Sequence, residues 1–243
     1  MMDYIKAENL KCRRTFAKKL VLIAPLLMVL LAGISGIYLV QDGYNWWYTI
    51  ILPGFITLAT ALVNQIEERK LHYRAIFALP VSLQKIWISK VFLLAAYVFV
   101  ACILHLAGMI LGKFLINPAA TISITQMVTA TLILIVVSLW QIPFCLFLSK
   151  KFGLMATVLI NVGIGIVLGI FTATEDFWWA CPYSWATRLM CPVLGILPNG
   201  TLALQGDALL NPGVLPIGIA LSALMFLLLL AVTANWFQKQ EVK

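Results

Sequence analysis

The chain has 243 residues, 63% of them hydrophobic and 11% charged, with 17 Lys and Arg against 9 Asp and Glu and a net charge of +8; its mean hydropathy is +1.00. Apolar runs as long as these exclude a soluble globular domain. Hydrocarbon forces every backbone polar group to be bonded internally, and the runs lack the alternation of barrel strands, so an all-α polytopic membrane protein is expected.

Residues 1–19 are basic, with Ile5, Cys12 and Phe16 near one helical face. They read either as an interfacial helix on the inner leaflet or as a basic flank that only fixes topology. From residue 20 onward a single domain of six spans is expected, at about 20–40, 46–63, 88–111, 127–148, 154–173 and 217–237. The first covers about 32 Å, a full hydrocarbon thickness. It is too long for a secretory signal, and no small-residue cleavage site follows it.

With both termini cytoplasmic, every Lys and Arg except Lys113 and Arg188 faces inward. The charge is thus a topology signal, and no nucleic-acid partner is expected. Trp46, Trp47 and Tyr48 mark an outer boundary and Trp87 and Trp236 inner ones.

Between the second and third spans, residues 64–80 hold Glu67, Glu68, Arg69, Lys70 and Arg74. On a helix Ile66, Tyr73 and Phe77 share an arc flanked by Ile76, Pro80 stops the helix, and Ser82 is placed to cap the next one. The segment is either a docking element for a soluble partner or a solvated loop.

In span four Ser138, Gln141 and Pro143 put polarity and a kink at depth, marking either a moving segment or an interhelical hydrogen bond. Gly165 and Gly169 have the spacing of a close helix contact, between subunits or within one. The long outer loop, 174–216, carries Trp178, Trp179, Tyr183 and Trp185. Its prolines 182, 192, 198, 212 and 216 forbid one long helix, and it is expected to pack on the membrane surface or dip into it. Within it Cys181 and Cys191 either form a disulfide or stay free. Asn199-Gly200-Thr201 is a sequon that also reads as a turn.

Catalytic constellations are missing from the sequence. His72 and His105 are far apart, no metal site is expected, and no carboxylate lies inside a predicted span. The run from Gly108 to Lys113 has the wrong spacing for a phosphate loop, so no cofactor is expected on this chain.

The basic N-terminal helix, the six spans, the charged segment ending in ALPVSLQKIWISK and the long outer loop together resemble the membrane subunit of a type-2 ABC exporter. Within that group, PYSWATRLMCPVLGILPNG (182–200) is similar to the lantibiotic-immunity permeases of the epidermin and mutacin type, with Ala186 where proline is common. The resemblance implies a bacterial cytoplasmic-membrane permease that removes lantibiotic from the producer's own membrane. Its partners would be a dimeric ATPase that consumes ATP and Mg, the lantibiotic peptide, and a sister permease or a second copy of itself.

On that reading residues 64–80 dock on the ATPase. Glu67, Glu68, Arg69 and Arg74 supply charge pairs, Tyr73, Ile76 and Phe77 an apolar anchor, and Pro80 the lever end. Outside, Asp42, Glu175, Asp176 and Asp207 outnumber Lys113 and Arg188 and would attract a cationic peptide, with Trp178, Trp179 and Trp185 as contacts. Interfacial anchoring accounts equally for those aromatics. Gly165 and Gly169 are expected at the subunit interface. Two rivals remain: an exporter of another antibiotic, lipid or peptide, and a membrane assembly protein that transports nothing.

Overall fold

The computed structural model describes residues 1–71 and 81–240, with the backbone alone for 69–71. Among these the chain is helical throughout, with no strand. Helix α1 is Met2–Cys12 and α2 Phe16–Ile34. Then follow α3 (Leu39–Trp46), a π-helical turn Trp47–Ile51 and α4 (Leu52–Leu71). Helix α5 is Leu83–Leu115, α6 Ile124–Ser138 and α7 Gln141–Val158. A second π-helical turn, Leu159–Ile164, leads into α8 (Gly165–Phe171); α9 is Ser184–Leu194 and α10 Val214–Gln238.

Five helical runs are long and apolar enough to cross a membrane: Phe16–Ile34, Gly36–Glu68, Leu83–Leu115, Gln141–Thr174 and Val214–Gln238, beside the shorter Ile124–Ser138. The first span therefore ends six residues earlier than expected. Gly36 takes φ +58°, a left-handed conformation that lets the chain reverse there. Residues 41–45, left between the first two expected spans, stand instead on α3, where Gln41 Nε2 donates to the Gly200 carbonyl at 2.6 Å.

Helix α5 begins at its Ser82 cap, whose Oγ accepts from the Lys85 amide. Helix α6 opens with a reciprocal capping box between Ser123 and Gln126. The break expected in span four falls at 139–140. Pro143 occupies the first turn of α7, where a missing N–H is tolerated.

The Gln141–Thr174 run is folded back on itself. Gly153 has φ 82° and ψ 176°, and the Asn161 carboxamide donates to Gln141 Oε1 at 3.0 Å. Twenty residues of straight helix would separate the two by about 30 Å. The two legs pack antiparallel, and α4 lies against them along a polar seam. Thr57 Oγ1 accepts from Asn161 Nδ2 at 3.0 Å, and Asn64 Nδ2 donates to Leu146 O at 2.8 Å and Ser149 Oγ at 2.7 Å.

The expected aromatic belts are largely internal. Trp47 is buried, stacked on His105 at 4.4 Å. Trp87 is buried and donates to Thr233 Oγ1 at 2.9 Å, joining α5 to α10.

Candidate functional site

Where α4 ends and α5 begins lies a buried charge cluster. Lys90, two turns into α5, is 0% exposed and Glu67, near the end of α4, 1%. Lys90 Nζ bonds Glu67 Oε2, and Lys11 of α1 bonds Glu67 Oε1 at 2.9 Å and Glu8 Oε1 at 2.6 Å. Two ammonium groups face two carboxylates, so the cluster is neutral and each charge is matched. That is the condition under which ionised groups are tolerated away from water.

Burial, with the repulsion of Glu67, pushes the Glu8 carboxyl above its ordinary range against the opposing pull of Lys90 and Lys11. For Lys11 burial acts downward, but the fields of Glu67 and Glu8 outweigh it and the ammonium is held above its usual value. Burial likewise lifts the Cys12 thiol to about 11. The Tyr97 hydroxyl donates to Asn9 Oδ1 at 3.2 Å and so fastens α1 to α5 a second time. The Lys90 ammonium also stands 5.5 Å over the Phe237 ring of α10.

The Glu67–Lys90 pair ties α4 to α5, and Asn64 ties α4 to α7. No group of three His, Cys, Asp or Glu able to hold a metal exists among the described residues.

Glu68 is exposed. Glu67 is a correction to the sequence reading. Both its oxygens are consumed inside the chain, so it braces the segment and offers no charge to a partner. The side chain of Arg69, and Tyr73, Arg74, Ile76, Phe77 and Pro80, lie outside the described residues. Glu8, Lys11 and Lys90 were missed. The signal was an acid and a base at matched depth in consecutive antiparallel spans.

At the opposite end the outer segment is a folded plug. Helix α9 buries nearly all its side chains against α6, α8 and α10 and stops at Gly195, which has φ +71°. Of the expected peptide contacts, Glu175, Asp176 and Trp179 are exposed and Asp42 half-buried. Trp178, Trp185 and Arg188 are turned inward. Trp185 Nε1 donates to Trp179 O at 3.0 Å, and Arg188 Nη1 donates to Leu209 O at 2.6 Å while lying 5.9 Å from the Trp178 ring. They hold the plug together.

Cys181 and Cys191 are free thiols, and no disulfide joins them. Cys191 is directed into α9, where its Sγ donates to Thr187 O at 3.4 Å, and burial pushes its thiol up to about 11. Gly165 and Gly169 do not form an open face for a second subunit. A Cβ at Gly165 would meet the Tyr183 ring at 2.9 Å, and one at Gly169 the Tyr183 carbonyl oxygen at 3.0 Å. Their small size seats the chain's own plug.

Comparison with known families gives a match over residues 4–171 to the family described as ABC-2 family transporter protein, more than half of the chain. No curated protein and no solved structure matches. The matched region contains the Glu8/Lys11/Glu67/Lys90 cluster and nearly all of the folded-back pair of spans. The chain belongs to the ABC-2 transporter family: it is a multi-pass membrane permease subunit of an ABC exporter, and its partner is an ABC ATPase subunit.

Proposed function

We propose that this permease clears lantibiotic from the membrane of the bacterium that makes it. It crosses the cytoplasmic membrane six times with both termini inside, paired with a sister permease or a second copy of itself. A separate ATPase dimer supplies the energy by hydrolysing ATP with Mg. Counting the two legs that meet at Gly153 as separate crossings gives the six. With both termini inside, the Glu8/Lys11/Glu67/Lys90 cluster lies at the cytoplasmic end and the plug outside.

The observation that carries the coupling is this cluster, where α4 ends and α5 begins on either side of residues 72–80. Closure of the ATPase dimer on that segment moves α4 and α5 as one body, and the seam from Asn64 through Gln141 and Asn161 passes the motion to Tyr183 and the plug. The cargo rests on the likeness of residues 182–200 to lantibiotic-immunity permeases. It is also supported by the chemistry of the plug's rim, where Glu175 and Asp176 flank exposed Phe177 and Trp179. Such a rim suits a cationic amphipathic peptide.

The test is protection of a sensitive host that expresses the chain with its ATPase and sister permease, measured as the inhibitory concentration for a lantibiotic panel. Wild type should protect, and Glu68→Lys combined with Arg74→Glu should abolish protection at normal membrane levels. Absence of protection against every lantibiotic overturns the cargo. Full protection by the variant overturns docking through 64–80.

A further inference from the structure

Residues from two π-helical turns, Trp47–Ile51 and Leu159–Ile164, line one cavity in the interior. Such turns insert one extra residue into a helix and recur at functional sites because they redirect side chains. Both open on one cavity of about 20 Å³, lined by Tyr48 and Thr49 from the first and Asn161 from the second, with Gln141 and Tyr183 beside them.

Asn161 is 1% exposed. Its nitrogen donates to Thr57 Oγ1 and Gln141 Oε1, each at 3.0 Å, and approaches Pro53 O at 3.4 Å. Thr57 Oγ1 donates its own proton to Pro53 O at 2.8 Å and so can only accept from Asn161, and Pro53 O is itself an acceptor, so Oδ1 is the atom left over. That oxygen and the Tyr48 and Tyr183 hydroxyls have no partner among the described residues. Asn161, Gly165 and Gly169 follow at helical spacing; the Tyr183 backbone rests on Gly169 and its ring on Gly165, which places the ring one turn from Asn161.

We propose that this cavity binds one water molecule, which donates to Asn161 Oδ1 and accepts from the Tyr183 and Tyr48 hydroxyls. A single bound water needs about 10–15 Å³ by the same measure, and it needs two to four polar partners. Both conditions are met. No carboxylate lines the cavity, so the site suits a neutral molecule and has nothing to offset a cation's desolvation. The bound water ties the start of the plug to both bulged legs, in a place where each of the three polar atoms would otherwise be buried unbonded.

The sign of a substitution separates a wet cavity from a dry one. In purified full-length chain in lipid nanodiscs, Tyr183→Phe and Tyr48→Phe should each lower Tm by about 2–4 °C, the loss of one hydrogen bond in a chain of this size. The double variant should lose less than the sum, because the water is lost only once. In a dry cavity each change removes an orphaned hydroxyl, and Tm would stay level or rise. That result, or strictly additive losses, overturns the proposal. In unmutated protein, solid-state NMR should show magnetisation passing from water protons to the Asn161 carboxamide; no transfer overturns it too.

Discussion

Lys90→Met removes one charge from the fully buried Lys90–Glu67 pair while nearly conserving the side chain's length. Loss of one partner of a buried ion pair costs about 3–5 kcal/mol, most of it the stranded charge. Glu67 keeps Lys11 at 2.9 Å, and that lysine is 29% exposed, which holds the expected cost near about 3 kcal/mol. At about 2–4 °C per kcal/mol for a chain of this size, Tm falls by about 6–12 °C. The assay is thermal unfolding of the purified chain in nanodiscs followed by Trp fluorescence. Adding Glu67→Leu removes the stranded charge and leaves Lys11 bonded to Glu8, so most of the loss is recovered, as when a buried pair is exchanged for apolar groups. A shift under about 2 °C for Lys90→Met, or a double variant that loses the sum of both, refutes the buried pair. Transport separates support from coupling: the double variant should fold yet fail to protect.

Glu8 responds in the opposite sense. Burial raises its folded pKa above the unfolded value, so its contribution is fullest below the unfolded value and is lost as pH rises through the folded one. Once the carboxyl ionises its burial becomes a cost, so Glu8→Gln should flatten the decline of Tm with rising pH. Gly169→Ala drives a Cβ against the Tyr183 carbonyl and should cost about 1–3 kcal/mol by thermal unfolding. Gly163→Ala, with nothing within 4 Å, should cost no more than a few tenths. In intact cells a membrane-impermeant maleimide should label half-buried Cys181 and spare Cys191, and oxidants should leave the pair unbridged.

The helical class and the approximate place of each apolar run were legible because lipid demands one kind of backbone and long apolar stretches. Boundaries were less so. Gln41, Asp42 and Asn45 look like loop residues by polarity, yet they stand on α3 because the plug covers them and Gly200 O accepts from Gln41. The Ser82 cap was readable, since capping is a local interaction. Glu67 was misread because composition cannot say which face of a helix end a carboxylate takes; only the approach of Lys90 and Lys11 from other elements decides it. Arg188 and Trp185 were misread for the same reason: in a loop sequence an aromatic that binds a ligand looks like one that fills a plug. Gly165 and Gly169 were correctly seen as a close contact, and the identity of the neighbour was what spacing left open.

The interior polar groups are unevenly placed, and this bears on which part of the permease moves. Helix α2 has no polar side chain beyond Lys18 and Lys19. Its contact with α5 relies on fit: a Cβ at Gly108 would lie 2.3 Å from a Val29 methyl group. The face of α4 toward the folded-back legs instead carries Thr57 and Asn64, both bonded across to the opposing legs. Sliding α2 past α5 exchanges one apolar contact for another, and lipid can replace either. Sliding α4 past α7 strands a carboxamide in hydrocarbon, at a cost of several kcal/mol. If the ATPase docks as proposed, the seam and the Glu67–Lys90 pair make α4, α5, α7 and the plug one body, and the apolar contact between α2 and α5 is the boundary that costs least to cross.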